Sequence, residues 1–99
     1  MKKTVLIELD KARNLRLGSN QFAMLQDLGI DLNAGNTGFR ELRAILYVGL
    51  SWEDKSLTLE RVGDLMDEVI FDEEKGMNYI VDKVTKCVEN FAAQQVGKN

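Results

Sequence analysis

The sequence predicts a mostly helical α+β domain, with about four helices behind an N-terminal β-hairpin. Three observations predict it. Apolar and polar residues alternate over much of residues 4–17; apolar residues recur every three or four positions in four later segments; and the 99-residue chain has no proline, so each helix must stop at glycine or in a polar loop. A chain of this length withdraws ~60 to 70% of its unfolded surface from water on folding, which suits one modest core. Residues 1–93 read as a single helical domain with the hairpin. Residues 94–99, with Val96 as their sole apolar anchor, read as a frayed C-terminal tail.

Thr4 to Leu9 predicts the first strand, with Val5, Ile7 and Leu9 on one face and Leu6 blurring the alternation. Asp10 to Arg13 is polar enough to turn, and Asn14 to Leu17 alternates again, Leu15 and Leu17 facing one way. Gly18-Ser19-Asn20 then offers a side-chain oxygen to the first helix, in which Phe22, Leu25 and Leu28 share a face before Gly29 stops it. Residues 30–38 are loop-like. Thr37 is placed to cap a second helix striped by Phe39, Leu42, Ile45, Leu46, Gly49 and Leu50.

A polar connection over residues 51–56 leads to Thr58, the expected cap of a third helix. That helix turns Leu59, Val62, Leu65, Met66, Val69 and Ile70 inward and Glu60, Arg61, Asp64, Asp67 and Glu68 outward. The periodicity breaks around Gly76. A fourth helix then runs toward Ala93 on Met77, Ile80, Val84, Cys87 and Phe91.

Composition narrows the function. A net charge of -3 and a pI near 4.9 give no electrostatic footprint for nucleic acid. No run approaches the roughly 18 apolar residues of a membrane-spanning helix. Glu8 and Asp10 end the first apolar patch before a signal-peptide core forms, and the lone Cys87 has no disulfide partner in the chain, so a reducing, intracellular compartment is expected.

Without histidine, the side chain best suited to proton transfer near neutral pH and the commonest metal ligand are both missing, so no enzyme activity, metal or cofactor is expected. Asp64, Asp67, Glu68, Asp72, Glu73 and Glu74 read as a solvated helix face and turn, and Cys87 as a core residue on an apolar seam. Asp31 to Asn36 echoes a calcium loop, but its glycine stands one place early and Leu42 occupies the position of the acidic ligand. Gly35 and Gly38 complete no phosphate-binding pattern. Gly49 and Gly63, each inside a helix, point to close packing of the second helix on the third.

What remains is protein binding. Tyr47, Val48 and Trp52 lie off the main stripe of the second helix or just past it, and with Phe71 they are the expected partner surface. Trp52 fits a second role equally well, closing the core with its indole N–H on a backbone oxygen. Charge is segregated along the chain: Lys2, Lys3, Lys11, Arg13 and Arg16 crowd the amino end, and acidic residues crowd positions 53–74. A head-to-tail contact between copies is one consequence of that separation.

Three segments in order carry a resemblance. They are Asn14 to Leu17 running on to Asp27-Leu28-Gly29-Ile30, then Phe39 to Leu50 (FRELRAILYVGL), then Leu57 to Leu65 (LTLERVGDL). Together they resemble the small tail assembly chaperones of long-tailed, siphovirus-like bacteriophages and prophages. The resemblance implies a protein of the host bacterial cytoplasm, absent from the mature virion. It would bind the hydrophobic tape-measure protein and keep it soluble and extended while the tail tube protein polymerises around it. It also implies a longer form made by ribosomal frameshifting near Gly97-Lys98-Asn99. The competing expectation is a small phage or plasmid regulatory protein that binds a host protein, since an acidic helical domain of this size fits that role on composition alone.

Overall fold

The computed structural model describes residues 4–31 and 38–96, with side chains through Ala92. Two antiparallel strands, β1 (Thr4–Glu8) and β2 (Ala12–Arg16), precede α1 (Ser19–Asp27), α2 (Phe39–Ser51), α3 (Leu59–Ile70) and α4 (Gly76–Val96). The expected hairpin and four helices are all present. Val5 pairs with Leu15 and Ile7 with Arg13, so the turn is the three-residue loop Leu9-Asp10-Lys11, closed by the Leu9 N–H donating to the Lys11 carbonyl at 3.0 Å. This corrects the longer turn expected through Arg13, which instead belongs to β2.

Two helices begin in the same way. Gly18 precedes α1 and Gly38 precedes α2, neither with a side chain to offer. The Gln21 carbonyl oxygen accepts from the Gly18 N–H at 2.9 Å, and the Glu41 carboxylate accepts from the Gly38 N–H at 3.0 Å, so the third helical residue reaches back to the cap. At the α1 start a cap from Ser19 or Asn20 is therefore not used. Thr37, with Leu32 to Asn36 of the calcium-like stretch, lies outside the described residues. At α3 the expected cap holds: the Thr58 hydroxyl accepts from the Arg61 N–H at 3.1 Å.

Gly29 ends α1 as expected, with φ of 79°. Its N–H reaches the Gln26 carbonyl and the next N–H, of Ile30, reaches Leu25, a pattern that leaves Ile30 and Leu25 both buried. Before α4 the Asp72 carboxylate accepts from the backbone N–H groups of Glu74 and Lys75, and Gly76 takes φ of 67° where the helix opens. The helix then continues to Val96, three residues past Ala93 and into the stretch expected to fray.

The core explains most of the stripes. Ile7, Leu15 and Leu17 of the hairpin segment meet Leu42, Ile45, Leu46 and Leu50 of α2, Val62, Leu65 and Val69 of α3, and Ile80, Val84 and Cys87 of α4. α2 lies at the centre, touching α1, α3, α4 and β2. The part so enclosed, Leu42 to Leu50, is apolar except at Arg43, which is why Ala44 and Val48 are buried along with the main stripe. The radius of gyration, 13.0 Å, matches a single compact body of about 100 residues. Among the described residues no helix is long and apolar enough to cross a membrane.

Gly49 corrects a second expectation. A Cβ there would stand 2.5 Å from Leu15 Cδ1 and 3.3 Å from the Arg16 carbonyl oxygen, so this glycine admits β2 against α2 and has no part in the α2–α3 contact. Gly63 does face α2, with the Arg43 Cδ 3.5 Å from the place of its missing Cβ.

Candidate functional site

An open groove of about 480 Å³ runs between α2 and α3. Its α2 side is formed by Phe39, Arg40 and Arg43, and its α3 side by Glu60, Asp64 and Asp67, with Met66 and Ile70 supplying apolar surface. The two helices run antiparallel, because Phe39 at the start of α2 shares the groove with Ile70 at the end of α3, and Arg43 lies over Gly63. Residues 60, 64 and 67 share a helical face by their spacing, as do 39, 40 and 43. The walls therefore carry opposite charge.

Those charges are not spent on each other. Arg40 leans on Glu41 at 3.7 Å and on the Leu28 carbonyl at 3.4 Å. Among the described residues Arg43, Glu60, Asp64 and Asp67 make no ion pair. Phe39 is 66% exposed at the rim. It was expected to face inward as the first residue of the α2 stripe. It falls instead in the opening turn of α2, at the rim of the groove, where the apolar periodicity continues but the cover does not.

The four residues expected to form the partner surface separate into three environments. Val48 is fully buried by the enclosure of α2, which corrects its assignment to a surface, and Tyr47 is half-buried against the core. Trp52 is half-buried, and its indole N–H donates to the Asn14 carbonyl at 3.1 Å with the Arg16 guanidinium 5.5 Å above the ring. The indole N–H thus reaches a backbone oxygen, while the ring itself is not among the side chains packed on the core. Phe71 alone is open, 81% exposed at the C-cap of α3. Antiparallel packing puts Trp52 and Phe71 toward opposite ends of the α2–α3 pair, so the four make no common patch.

No family model, curated protein or solved structure matches this chain.

A second cluster lies at the hairpin turn, beside a hollow of about 600 Å³ lined by Lys11, Ala12, Arg13, Glu53, Asp54 and Ser56, and here the charges pair. Arg13 is 6% exposed, its Nε 2.8 Å from Asp10 Oδ1 and its Nη1 3.0 Å from Asp54 Oδ2. The Ser56 hydroxyl and the Arg13 guanidinium together hold the Asp54 carboxyl down at about 2, and Arg13 lowers that of Asp10. Beside it the Glu53 carboxylate accepts from the Asn14 backbone and side-chain amides, which lowers its own pKa. The polarity of residues 10–13 alone places Arg13 in the turn, whereas it belongs to β2. Its parity with Leu15 and Leu17 would have placed it inward.

Charges far apart in sequence thus meet within one chain, leaving fewer basic groups on the hairpin for a neighbouring copy than the sequence suggests. Cys87 sits 3% exposed with its Sγ 3.5 Å from the Leu15 carbonyl oxygen, and burial raises the thiol pKa. Such a thiol is a poor nucleophile. Among the described residues no three Cys, Asp or Glu side chains gather where a metal ion would be held.

Proposed function

We propose that this protein is a tail assembly chaperone, which binds the tape-measure protein of a long-tailed phage or prophage without catalysing a reaction. It keeps that partner soluble and extended in the bacterial cytoplasm until tube subunits replace it. The observation that carries the reading is the α2–α3 groove: an exposed Phe39 beside apolar surface, between walls whose charges are largely unpaired among the described residues. A helix with an apolar stripe is the partner such a groove suits. The order of the three sequence segments supplies the choice of the tape measure as that partner.

The mechanism asks little of any one contact. Binding many copies along a long helical partner protects it by mass action, and weak individual contacts let tube protein displace them without nucleotide hydrolysis. Co-expression with the tape-measure protein encoded beside its gene tests the reading. The tape measure is expected to become soluble only with this chain and to co-purify with it. Equal insolubility with and without the chain overturns the proposal and favours a binder of a host protein.

A further inference from the structure

We propose that the α2–α3 groove accepts an amphipathic helix in one direction only, its acidic flank against Arg40 and Arg43 and its basic flank against Glu60, Asp64 and Asp67. This rests on the reading of the chain as a binder of a helical partner, and adds the charge pattern and polarity of that partner.

Opposite charges that face each other across a closed interface pair directly. Here they stand apart, with Arg43 and the three α3 carboxylates making no ion pair among the described residues and an opening of about 480 Å³ between the walls. That volume is of the order of a single helical turn, taking about 10 Å for the diameter and about 5.4 Å for the pitch. Phe39 and Ile70 lie along the opening to meet an apolar stripe. Flanking charges on a seated helix choose partner and orientation, as they do beside the seam of a coiled coil.

Direction follows from geometry. Turning a seated helix end for end exchanges its two flanks, which sets acid against the α3 carboxylates and base against the α2 arginines. Like-charge contacts then oppose the reversed pose.

Among the described residues no helix offers a second copy of this chain a row of large exposed apolar side chains to seat in the groove. Outside the groove the large exposed apolar side chains among the described residues are Leu6 on β1, Met24 on α1, Phe71 at the end of α3 and Val81 on α4. Each stands singly on its element, so no described helix presents an outward apolar stripe. The proposed occupant is a different chain.

The test uses the full chain and synthetic helical peptides of ~20 residues, long enough to hold helix when bound. All share one leucine stripe. The first carries Glu on one flank and Lys on the other, the second Glu on both, the third Lys on both. Backbone amide shifts of the protein locate the site, and titration gives affinity. The mixed peptide is expected to shift Arg43, Gly63 and Asp64 and to bind at least ~10-fold tighter than either one-signed peptide, with the advantage falling as salt rises.

A nitroxide on its amino end should broaden amides at one end of the groove, and exchanging its flanks should move the broadening to the other end. In the doubly substituted protein Asp64→Lys, Asp67→Lys, both positions being exposed, preference should pass to the all-Glu peptide. Equal affinity for the three peptides, or broadening at both ends, overturns the proposal, as do shifts confined to another surface. The tape measure enters none of these measurements. Peptides that behave as described support the groove even if the tape measure stays insoluble in co-expression, an outcome that removes the chaperone reading alone. A doubly substituted protein that still solubilises the tape measure fully overturns the groove and leaves the chaperone reading standing.

Discussion

Two regions treat the same kinds of side chain in opposite ways. At the hairpin turn a cation, three carboxylates and an aromatic ring are drawn inward or onto each other: Arg13 holds Asp10 and Asp54, Trp52 donates to Asn14, and Glu53 takes the Asn14 amides. Across the α2–α3 groove the cation Arg43, the α3 carboxylates and the aromatic Phe39 face outward, with no such exchange. The first region spends its polar groups on joining elements of one chain. The second leaves its own largely unpaired among the described residues. Charge content alone is thus a poor guide to which charges a fold pairs internally and which it leaves unpaired beside apolar surface.

The contrast breaks most visibly at Arg13. Arg13→Ala leaves Asp10 and Asp54 without their shared partner, and because both carboxylates keep some solvent, the loss should be about 2 kcal/mol, somewhat below that of a fully buried pair. Urea unfolding midpoints would measure it. A loss under about 0.5 kcal/mol would mean that the turn gains nothing from this arrangement. Next comes Gly49→Ala. The new methyl group collides with Leu15 Cδ1, an overpacking cost of about 2 kcal/mol offset by about 1 kcal/mol of helix propensity, for a net loss of about 1 kcal/mol. Gly63→Ala, which meets only Arg43 Cδ at 3.5 Å, should be neutral or stabilising in the same assay.

Acid sharpens the comparison further. The folded pKa values of Asp10, Asp54 and Glu53 are depressed, so each contributes stability that is fully present above the unfolded carboxyl range near pH 4 and is lost as pH falls through the folded value, about 2 for Asp54. Stability should therefore fall between about pH 4 and pH 2. In Arg13→Gln the Asp10 and Asp54 part of that fall should shrink, while the part from Asp72, held down by the Glu74 and Lys75 amides, persists. Circular dichroism melts across that range give the answer. The smallest effect belongs to the groove: Phe39→Ser and Asp64→Lys should each change stability by less than about 0.5 kcal/mol, since neither residue is buried. A large loss in either would show that the groove supports the fold and is not reserved for a partner.

The sequence made the architecture legible because its signals were local. Alternation located the strands, the spacing of Val62, Leu65, Met66 and Val69 located α3, and Gly29 marked a helix end that only a positive φ could make. The candidate surface was less legible, since exposure depends on what packs against an element from elsewhere. Val48 sits off the α2 stripe, and only the enclosure of α2 on several sides removes it from solvent. Phe39 sits on that stripe, and only its place in the opening turn leaves it bare. Two signals were present but unread: the inward parity of Arg13, and glycine followed three places later by Gln21 or Glu41, which marked two helix starts.

The hairpin also carries an obligation that falls on the order of synthesis. Its backbone and neighbouring groups are completed from distant positions: the Glu8 N–H by the Tyr79 hydroxyl at 2.8 Å, the Glu8 carbonyl by the Lys75 ammonium at 3.3 Å, and the Leu15 carbonyl by the Cys87 thiol at 3.5 Å. Glu8 and Leu15 therefore wait, during synthesis, for partners about 70 residues further along the chain. At about 5–20 residues per second that interval is roughly 4–15 seconds, during which the β1 strand edge stands uncovered. Docking of α4, whose Tyr79 hydroxyl takes the Glu8 N–H, ends the exposure, which makes α4 the guard of β1.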